Sequence, residues 1–401
     1  MGAAVRCGVA FFCQNYNDWD RHEARGWDHP PALADTQMYD EEIALALQAE
    51  PLGFDSIWSV EHHFTPYTMI PNPLQILSYF AAATSRVDVG TMVVVLPWHD
   101  PVRVVEEVAV LDQLLQGRRL RLGVGRGAAK LEFDGLGIDM STSRERFLEA
   151  LEVVRTGLSQ PVLEHHGKYF DIPPIHVRPQ PRSRDLVENM HMAWGSPSSV
   201  AIAAEAGLRP LVVPQKEWRT HVDEMVQYNR IRAELGFAPA SPTVLLGVYV
   251  HDDPEVAERE GRRYMDQWTD SALRHYRFTD TDHLKDVKGY EYYNDLAAKF
   301  TAEGALHERT AHLERQLSGN AGDISEMRSY LTDSHVWGTP DSVFEQIRER
   351  IGGIGGEEIV GVFKCGNMPF DVANDSINLF ARTVLPRLHE LPATPPVTAN
   401  T

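Results

Sequence analysis

Residues 87–96 read Val-Asp-Val-Gly-Thr-Met-Val-Val-Val-Leu, and this stretch points to the fold class more directly than any other. It is almost continuously apolar and rich in β-branched residues, which is typical of a strand buried on both faces of a parallel sheet. Pro97 ends the strand, and residues 101–115 follow as a periodic helix that begins with a proline. The stretch therefore predicts one β–α unit of an α/β protein.

The same unit repeats in both directions along the chain. Eight strands that alternate with helices predict a (β/α)8 TIM barrel. A doubly wound open sheet is the alternative, because periodicity alone does not show whether a sheet closes. The other predicted strands are 5–13, 56–60, 119–124, 190–194, 211–213, 243–250 and 359–364, and the other predicted helices are 41–52, 73–83, 143–158, 198–206, 217–235 and 371–388.

Two regions depart from this alternation. Residues 270–337 are polar and helix-prone, so we expect an insertion between strands seven and eight that acts either as an active-site lid or as a plain surface hairpin. Residues 391–401 are rich in proline and threonine and predict a disordered tail. Residues 1–390 are therefore expected to form a single barrel domain.

Composition excludes several classes of partner. The 401-residue chain carries a formal net charge of −19, which disfavours nucleic acid and anionic lipid because both require a basic surface. No apolar run of about 18 residues is present, so no membrane span is predicted. The three cysteines, Cys7, Cys13 and Cys365, have no metal-ligand spacing. Together with an N-terminus that lacks a signal peptide, they indicate a cytoplasmic protein.

Three short segments suggest a bound phosphate. Gly123-Val-Gly-Arg-Gly127 leaves a predicted strand with an arginine among glycines, but it lacks the dinucleotide-binding spacing. Trp194-Gly-Ser-Pro-Ser-Ser199 opens a helix, where hydroxyl and backbone N–H groups can bind an anion; the alternative is that Ser196 only caps this helix. Arg144 begins another helix, where its charge opposes the helix dipole and so favours a ligand or a carboxylate.

Ser59-Val-Glu-His-His-Phe64 places Glu61, His62 and His63 directly after the strand predicted at 56–60. Histidine changes its charge near neutral pH, so a pair of histidines at a strand end is a candidate proton-handling site. Two adjacent histidines on a surface loop without any function are the plainer alternative.

The chain resembles the bacterial luciferase-like flavin monooxygenases, and in particular the alkanal monooxygenase α chains. The resemblance is an ordered series of segments that covers most of the sequence. The segments are Phe54-Asp-Ser-Ile-Trp-Ser-Val-Glu-His-His-Phe64, Asn72-Pro73, Val89-Gly-Thr-Met-Val-Val-Val-Leu-Pro97, His99-Asp-Pro-Val-Arg103, Leu111-Asp-Gln-Leu-Leu-Gln-Gly-Arg118, Gly123-Val-Gly-Arg-Gly127, Phe133-Asp-Gly-Leu-Gly-Ile-Asp-Met140, Ser143-Arg144, 196–199, Gly289-Tyr-Glu-Tyr292 and Gly338-Thr-Pro340.

The resemblance implies a TIM barrel that binds reduced FMN and activates O2 at flavin C4a. A C4a-(hydro)peroxyflavin would then oxidise a small organic substrate, by Baeyer–Villiger or aldehyde oxidation or by hydroxylation. It implies further that a separate NAD(P)H:flavin reductase supplies the FMNH2 and that the protein is a homodimer, which we expect to form through residues 73–83 and 101–115.

The resemblance also assigns roles to residues. Arg126, Arg144, Ser196 and Ser199 match the phosphate clamp, while Glu61 and His62, with His63 beside them, match the active-site carboxylate and histidine. Met92 and Val93 match a cis peptide under the isoalloxazine ring. Gly125 replaces the reactive cysteine of the light-emitting members, which disfavours a luciferase. Aromatic residues could wall the flavin or pack in the core: Phe12, Tyr16, Trp58, Trp194 and Trp218.

Three alternatives remain open from the sequence. An F420-dependent dehydrogenase or reductase would use the same fold with a deazaflavin. A non-catalytic partner subunit would keep the fold without the reaction. A metal-dependent hydrolase would use Glu61, His62, His63 and His99, although neighbouring residues on an extended strand point to opposite faces, so that one ion cannot easily take both histidines of the pair. We therefore predict no metal ligands.

Overall fold

The computed structural model describes residues 4–277, 282–285, 287–293 and 331–398. The strands are β1 Arg6–Phe11, β2 Ser56–Ser59, β3 Asp88–Thr91, β4 Val94–Val95, β5 Leu120–Arg121, β6 Gly123–Gly125, β7 Val162–His166, β8 Asp171–His176, β9 His191–Ala193, β10 Arg209–Val212, β11 Thr243–Val250, β12 Val336–Gly338 and β13 Glu358–Val362. The helices are α1 Trp19–Glu23, α2 Asp35–Leu47, α3 Ala49–Leu52, α4 Pro73–Ala83, α5 Pro101–Leu114, α6 Lys130–Leu136, α7 Ser143–Ser159, α8 Pro197–Glu205, α9 Trp218–Glu234, α10 Pro254–Tyr276, α11 Pro340–Ile354, α12 Phe370–Thr383 and α13 Leu385–Glu390.

The strands pair in parallel around a closed ring. β3 and β4 are two parts of one barrel strand, as are β5 and β6, so the barrel has eight strands. The pairing runs from β1 through β2, β3 and β4, β5 and β6, β9, β10, β11 and β13 back to β1. The predicted TIM barrel is therefore confirmed, and the open-sheet alternative is wrong because each of the eight barrel strands pairs on both edges, so that the ring has no free edge.

Local sequence signals explain where the elements begin. Asn72 accepts a hydrogen bond from the backbone N–H of Gln75 at 2.9 Å and caps α4, and Asp100 caps α5 through the N–H of Val102 at 2.8 Å. A proline follows each cap at the first helical position, where its missing N–H costs nothing. Every residue of β11 is buried, as the apolar run at 243–250 predicts.

Some elements differ from the sequence prediction. The helix expected at 371–388 is divided into α12 and α13, because Pro386 cannot continue a helix interior. The antiparallel hairpin of β7 and β8 and the short helix α6 were not predicted. Strand β12 was missed as well, although it pairs in parallel with β11.

The predicted insertion at 270–337 begins inside α10, which runs without interruption to Tyr276. Most of the remaining insertion lies outside the described residues. Residues 391–398, for which disorder was predicted, lie against the barrel: Pro392 forms a β-bridge with Ala4, and Asn229 donates a hydrogen bond to the carbonyl of Val397 at 2.8 Å. None of the described helices is long and apolar enough to span a lipid bilayer.

Candidate active site

One cavity opens at the carboxyl ends of the barrel strands, where TIM-barrel active sites are found. Among the predicted site residues, Glu61, His62, Met92 and Val93 line this cavity from the strand ends of β2, β3 and β4. Gly125, Arg126, Trp194 and Ser199 line it from β6, β9 and α8. The predicted site residues therefore converge on one place, although they come from distant parts of the chain.

The remaining predicted residues lie directly behind this lining. His63 contacts Glu61, with His63 Nε2 at 3.3 Å from Glu61 Oε1. Arg144 donates a hydrogen bond to the hydroxyl of Ser198 at 3.0 Å. The Ser196 hydroxyl lies 3.0 Å from that of Ser199.

The barrel strand formed by β3 and β4 is interrupted by a cis peptide between Met92 and Val93, at the bond for which it was predicted. Gly125 lies opposite this peptide, and a Cβ atom added there would come within 2.5 Å of Val93 Cγ2. Any side chain at Gly125 would therefore require Val93 to move.

Glu61 is at the centre of the first of two carboxylate–histidine clusters, which we call the Glu61 cluster. Its Oε2 accepts a hydrogen bond from the backbone N–H of Val95 at 2.7 Å, and its Oε1 lies 2.6 Å from His99 Nε2 and 3.3 Å from His63 Nε2. Burial alone would raise the pKa of Glu61, but the hydrogen bonds with His63 and His99 lower it below its usual range. Burial would lower the pKa of His99, but Glu61 raises it.

His62 belongs to the second cluster, which we call the Glu132 cluster. His62 Nδ1 lies 3.2 Å from Glu132 Oε1, and the same oxygen accepts a hydrogen bond from the backbone N–H of His63 at 2.7 Å. His275 Nε2 lies 3.4 Å from this oxygen as well. His62 Nε2 is 3.3 Å from the hydroxyl of Tyr276. Adjacent histidines thus point to opposite sides of the 61–63 segment, each toward a different carboxylate.

This division separates the four residues proposed as metal ligands: Glu61, His63 and His99 are together, whereas His62 is not with them. Within the described part of the chain, the one group of side chains with compatible ligand spacing is His62, Glu132 and His275, whose ligand atoms lie within 4.8 Å of one another. The four residues of the hydrolase alternative are therefore not assembled in one place.

Arg126 lines the cavity, and Arg144 lies near enough to be affected by its charge. Arg126 donates a hydrogen bond to the Gly289 carbonyl at 2.9 Å, and its guanidinium carbon lies 4.1 Å from the centroid of the Tyr290 ring. Burial and the neighbouring charge of Arg126 both lower the pKa of Arg144. Two cations this close to each other favour an anion between them.

The amino terminus of α8 adds neutral donors to this pair. Ser196 is the N-cap residue by its backbone, but its hydroxyl makes no capping bond and instead contacts the hydroxyls of Ser198 and Ser199. The simple capping role considered from the sequence is therefore wrong. Three hydroxyls, a helix N-terminus and two guanidiniums form a positive concave surface that suits a phosphate.

The site contains residues that were not predicted from the sequence. Glu132 lies on the helix α6, and His275 and Tyr276 lie in the stretch assigned to the insertion, so no local motif identified them. Of the aromatic candidates, Phe12 and Trp194 line the cavity. Trp58 is instead buried in the barrel interior, where its ring fills the space beside Gly90.

The fold is a TIM barrel, and the cavity at its mouth brings Arg126 and Ser199 together with Glu61 and His62. Residues 12–357 match the luciferase-like monooxygenase family, and the chain belongs to that family. It is 27% identical to the alkanal monooxygenase alpha chain of Photorhabdus luminescens over 90% of this chain and 95% of the relative. It is 29% identical to the oxygenase component of the flavin-dependent trigonelline monooxygenase of Acinetobacter baylyi, over 55% of this chain and 62% of that protein.

Solved structures agree on the fold. The monooxygenase RslO1 from Streptomyces bottropensis is similar with a TM-score of 0.70 and 23% identity, over 95% of this chain and 99% of that one. The oxygenating constituent of 3,6-diketocamphane monooxygenase from Pseudomonas putida, in complex with FMN, has a TM-score of 0.66 and 20% identity, over 96% and 98%. An F420-dependent secondary alcohol dehydrogenase has a TM-score of 0.64 and 17% identity, over 96% and 99%. The protein is thus a flavin-dependent monooxygenase by family.

Proposed function

We propose that the protein is the oxygenase component of a two-component system. It would bind reduced FMN supplied by a separate NAD(P)H:flavin reductase and use O2 to oxidise a small organic substrate. The observation that carries this proposal is one cavity that is lined at once by Arg126, Ser199 and His62, with Arg144 bonded to the neighbouring Ser198. A flavin mononucleotide has this layout, with a phosphate at one end and a reactive ring at the other.

The residues present fit FMN. Its phosphate matches the two guanidiniums and the serine hydroxyls at the start of α8, which offer charge-assisted hydrogen bonds. Its flat ring matches the surface of Met92, Val93 and Gly125, where the absence of a side chain at Gly125 lets Val93 pack closely against the backbone. The bound flavin would supply the reaction with O2, which no amino-acid side chain provides.

The residues of this chain would do the rest. Arg126 and Arg144 would fix the position of the phosphate, and the apolar lining from Val60, Met192 and Leu245 would keep water from the ring. His62 would hold and move a proton at Nε2, the ring nitrogen beside Tyr276. The position of that proton would decide between attack on a carbonyl, as in Baeyer–Villiger or aldehyde oxidation, and hydroxylation.

The relatives support a separate reductase and FMN. The trigonelline enzyme is named as an oxygenase component, and the diketocamphane enzyme is an oxygenating constituent with FMN bound. A homodimer through α4 and α5 is part of the same proposal. Large apolar side chains are exposed on these helices, namely Tyr79, Val110 and Leu114, at 49%, 43% and 42%.

The direct test is to bind FMNH2 to the purified protein without oxygen, then admit O2 and follow the absorbance. We expect a long-lived absorbance that differs from that of oxidised FMN, because the cavity keeps water from the ring. If FMNH2 binds tightly but is rapidly converted to oxidised FMN with every substrate tested, the protein binds flavin and is not an oxygenase. Absence of FMNH2 binding would contradict the proposal.

Arg144→Ala tests the phosphate site. We expect FMNH2 affinity to fall by about 10- to 100-fold, because a hydrogen bond to a charged group is worth about 1.5–3 kcal/mol. Reduced riboflavin, which lacks the phosphate, is the matched ligand and should lose less than about twofold. Equal losses for the two ligands would show that Arg144 supports the fold and does not bind the phosphate.

An F420-dependent dehydrogenase is the second candidate, favoured by the similarity to the alcohol dehydrogenase of that type. Isothermal titration with FMNH2 and with F420 would separate the two. Tight F420 binding with no FMNH2 binding, and reduction of F420 by a secondary alcohol without O2, would favour the second candidate.

A further inference from the structure

Glu132 is a buried carboxylate to which the proposed function gives no role. Only 1% of the residue is exposed, and its Oε1 receives the backbone N–H of His63 at 2.7 Å. His62 Nδ1 and His275 Nε2 approach the same oxygen, at 3.2 and 3.4 Å. Burial would raise the pKa of Glu132, but the two histidines lower it to about 2. At neutral pH this carboxylate is ionised and can only accept hydrogen bonds.

The hydrogen-bond chain behind Glu132 sets the tautomer of His275. The backbone N–H of Tyr67 donates to the Thr65 hydroxyl oxygen at 3.3 Å, and that hydroxyl lies 2.8 Å from His275 Nδ1. Burial lowers the pKa of His275, so the ring is neutral. A hydrogen on Nε2 is the arrangement that avoids a lone pair 3.4 Å from the ionised carboxylate, although Nε2 is not aligned for a hydrogen bond with it. In that arrangement the Thr65 hydroxyl donates to Nδ1.

The same reasoning applies to His62. Its Nδ1 lies 3.2 Å from an oxygen that can only accept, so Nδ1 carries the hydrogen. Its Nε2 is then the nitrogen with a lone pair, and it lies 3.3 Å from the Tyr276 hydroxyl. The aromatic rings of Tyr67, His275 and Tyr276 surround the imidazole at centroid distances of 4.9, 4.9 and 5.7 Å, which leaves it little freedom to turn over.

We propose that Glu132 is a positioning residue that holds His62 in the Nδ1–H tautomer, so that Nε2 is the atom that accepts a proton in the cavity. This inference rests on the proposed function, because it assigns the partner of the histidine used there. A proton donor in the cavity would lose its proton to His62 Nε2, and the imidazolium formed would be stabilised by the charge of Glu132. The same proton would return from Nε2 later, so no further reactant is required.

A metal ion is the competing explanation for His62, Glu132 and His275. The contacts favour hydrogen bonds for His62, because His62 Nδ1 and the backbone N–H of His63 both lie at hydrogen-bond distance from the same oxygen of Glu132, whereas His275 Nε2 approaches that oxygen at 3.4 Å without the alignment of a hydrogen bond. One of these three nitrogen groups is the backbone N–H of His63, which donates a hydrogen and is not a metal ligand. Metal analysis of the purified protein is therefore one arm of the test.

The first measurement is the tautomer of His62 in the flavin-free protein. Long-range 1H–15N spectra of protein labelled at its 17 histidines distinguish Nδ1–H from Nε2–H, and a His62→Gln spectrum identifies the signals that disappear. We expect Nδ1–H for His62 in the unsubstituted chain. Nε2–H would overturn the proposal, and this result does not depend on whether any Glu132 variant folds.

The second measurement compares Glu132→Gln with Glu61→Gln by the tautomer that the His62 signals report. Each variant removes one buried carboxylate near the 61–63 segment, but of the two carboxylates Glu132 alone contacts His62. In Glu132→Gln the new amide can donate as well as accept, so we expect the Nε2–H form of His62 to become populated. In Glu61→Gln we expect His62 to stay in the Nδ1–H form, because Glu61 does not contact it. A single Nδ1–H form in Glu132→Gln, or the same mixture of forms in both variants, would overturn the proposal.

These outcomes separate the inference from the proposed function. The spectra need neither flavin nor O2, so they can support a positioned His62 even if FMNH2 does not bind. If FMNH2 binds and His62 is in the Nε2–H form, the inference is wrong and the proposed function stands. One equivalent of tightly bound metal that is lost in Glu132→Gln would identify Glu132 as a ligand and overturn the positioning role.

Discussion

The Glu61 cluster and the Glu132 cluster lie on the two sides of one short segment, and each combines one glutamate with histidines. They differ in the part of the molecule that the glutamate binds. Glu61 accepts from the N–H of Val95, and so it holds the barrel strand that contains the cis peptide. Glu132 accepts from the N–H of His63 and orients His62 toward the cavity. Because side chains alternate along an extended segment, neighbours in sequence serve different sites.

The largest effect should come from the histidine that faces the cavity. His62→Gln should reduce turnover by about 10²- to 10⁴-fold, because general acid–base catalysis contributes about that much. His63→Gln is the matched control on the other side of the segment, and it should reduce turnover by less than about tenfold. Steady-state rates with the cognate substrate and saturating FMNH2 would check this. Equal losses would show that the Glu61 cluster and the Glu132 cluster do not differ in their contribution to turnover.

The second effect is on stability and concerns Glu61. Glu61→Gln should lower the free energy of unfolding by about 3 kcal/mol, because it removes a fully buried charge that holds two histidines and a backbone N–H. Urea unfolding followed by circular dichroism would measure the loss. Glu152→Gln, at an exposed position on α7, is the control and should change the free energy by less than about 0.5 kcal/mol.

The smallest effect is a difference in pH dependence between His99 and His275. The pKa of His99 is raised in the folded protein. Its contribution to the free energy of unfolding is therefore fully present below about pH 6.5, the usual pKa of histidine, and is lost as the pH rises through the raised pKa. The pKa of His275 is lowered, so protonation in the unfolded state destabilises the fold as the pH falls below about 6.5.

Unfolding of the wild type, His99→Gln and His275→Gln between about pH 5 and 9 would test these opposite signs. The stability advantage of the wild type over His99→Gln should shrink toward high pH, whereas its advantage over His275→Gln should shrink toward low pH. The same slope for both variants would contradict the assignment of a charged histidine to one cluster and a neutral one to the other.

The barrel could be predicted from sequence because its core strands are continuous apolar runs. The run at 243–250 is strand β11 with the predicted bounds, and the helix predicted at 73–83 is α4. The hairpin of β7 and β8 was missed because its residues are largely exposed and lack the apolar pattern of a core strand. Helix α6 was missed because seven residues are too few to show a period.

The residues proposed for the anion site could be found in the sequence for a related reason. Arg126, Ser196 and Ser199 are each adjacent to a strand end or a helix start, so a local motif reveals them. The dual contact of Arg126, which also binds the Gly289 carbonyl, had no local signal because those residues are 163 positions apart.

The sequence by itself determined the class of fold, the candidate phosphate ligands and the histidine pair, because these depend on periodicity and on residues close together in the chain. Only the tertiary structure decided which carboxylate each histidine meets. His62 reaches Glu132 across 70 positions and Tyr276 across 214, and His63 turns to Glu61 only two positions away. Such pairings follow from barrel closure, which brings the carboxyl ends of all eight strands to one mouth and is not encoded in any single segment.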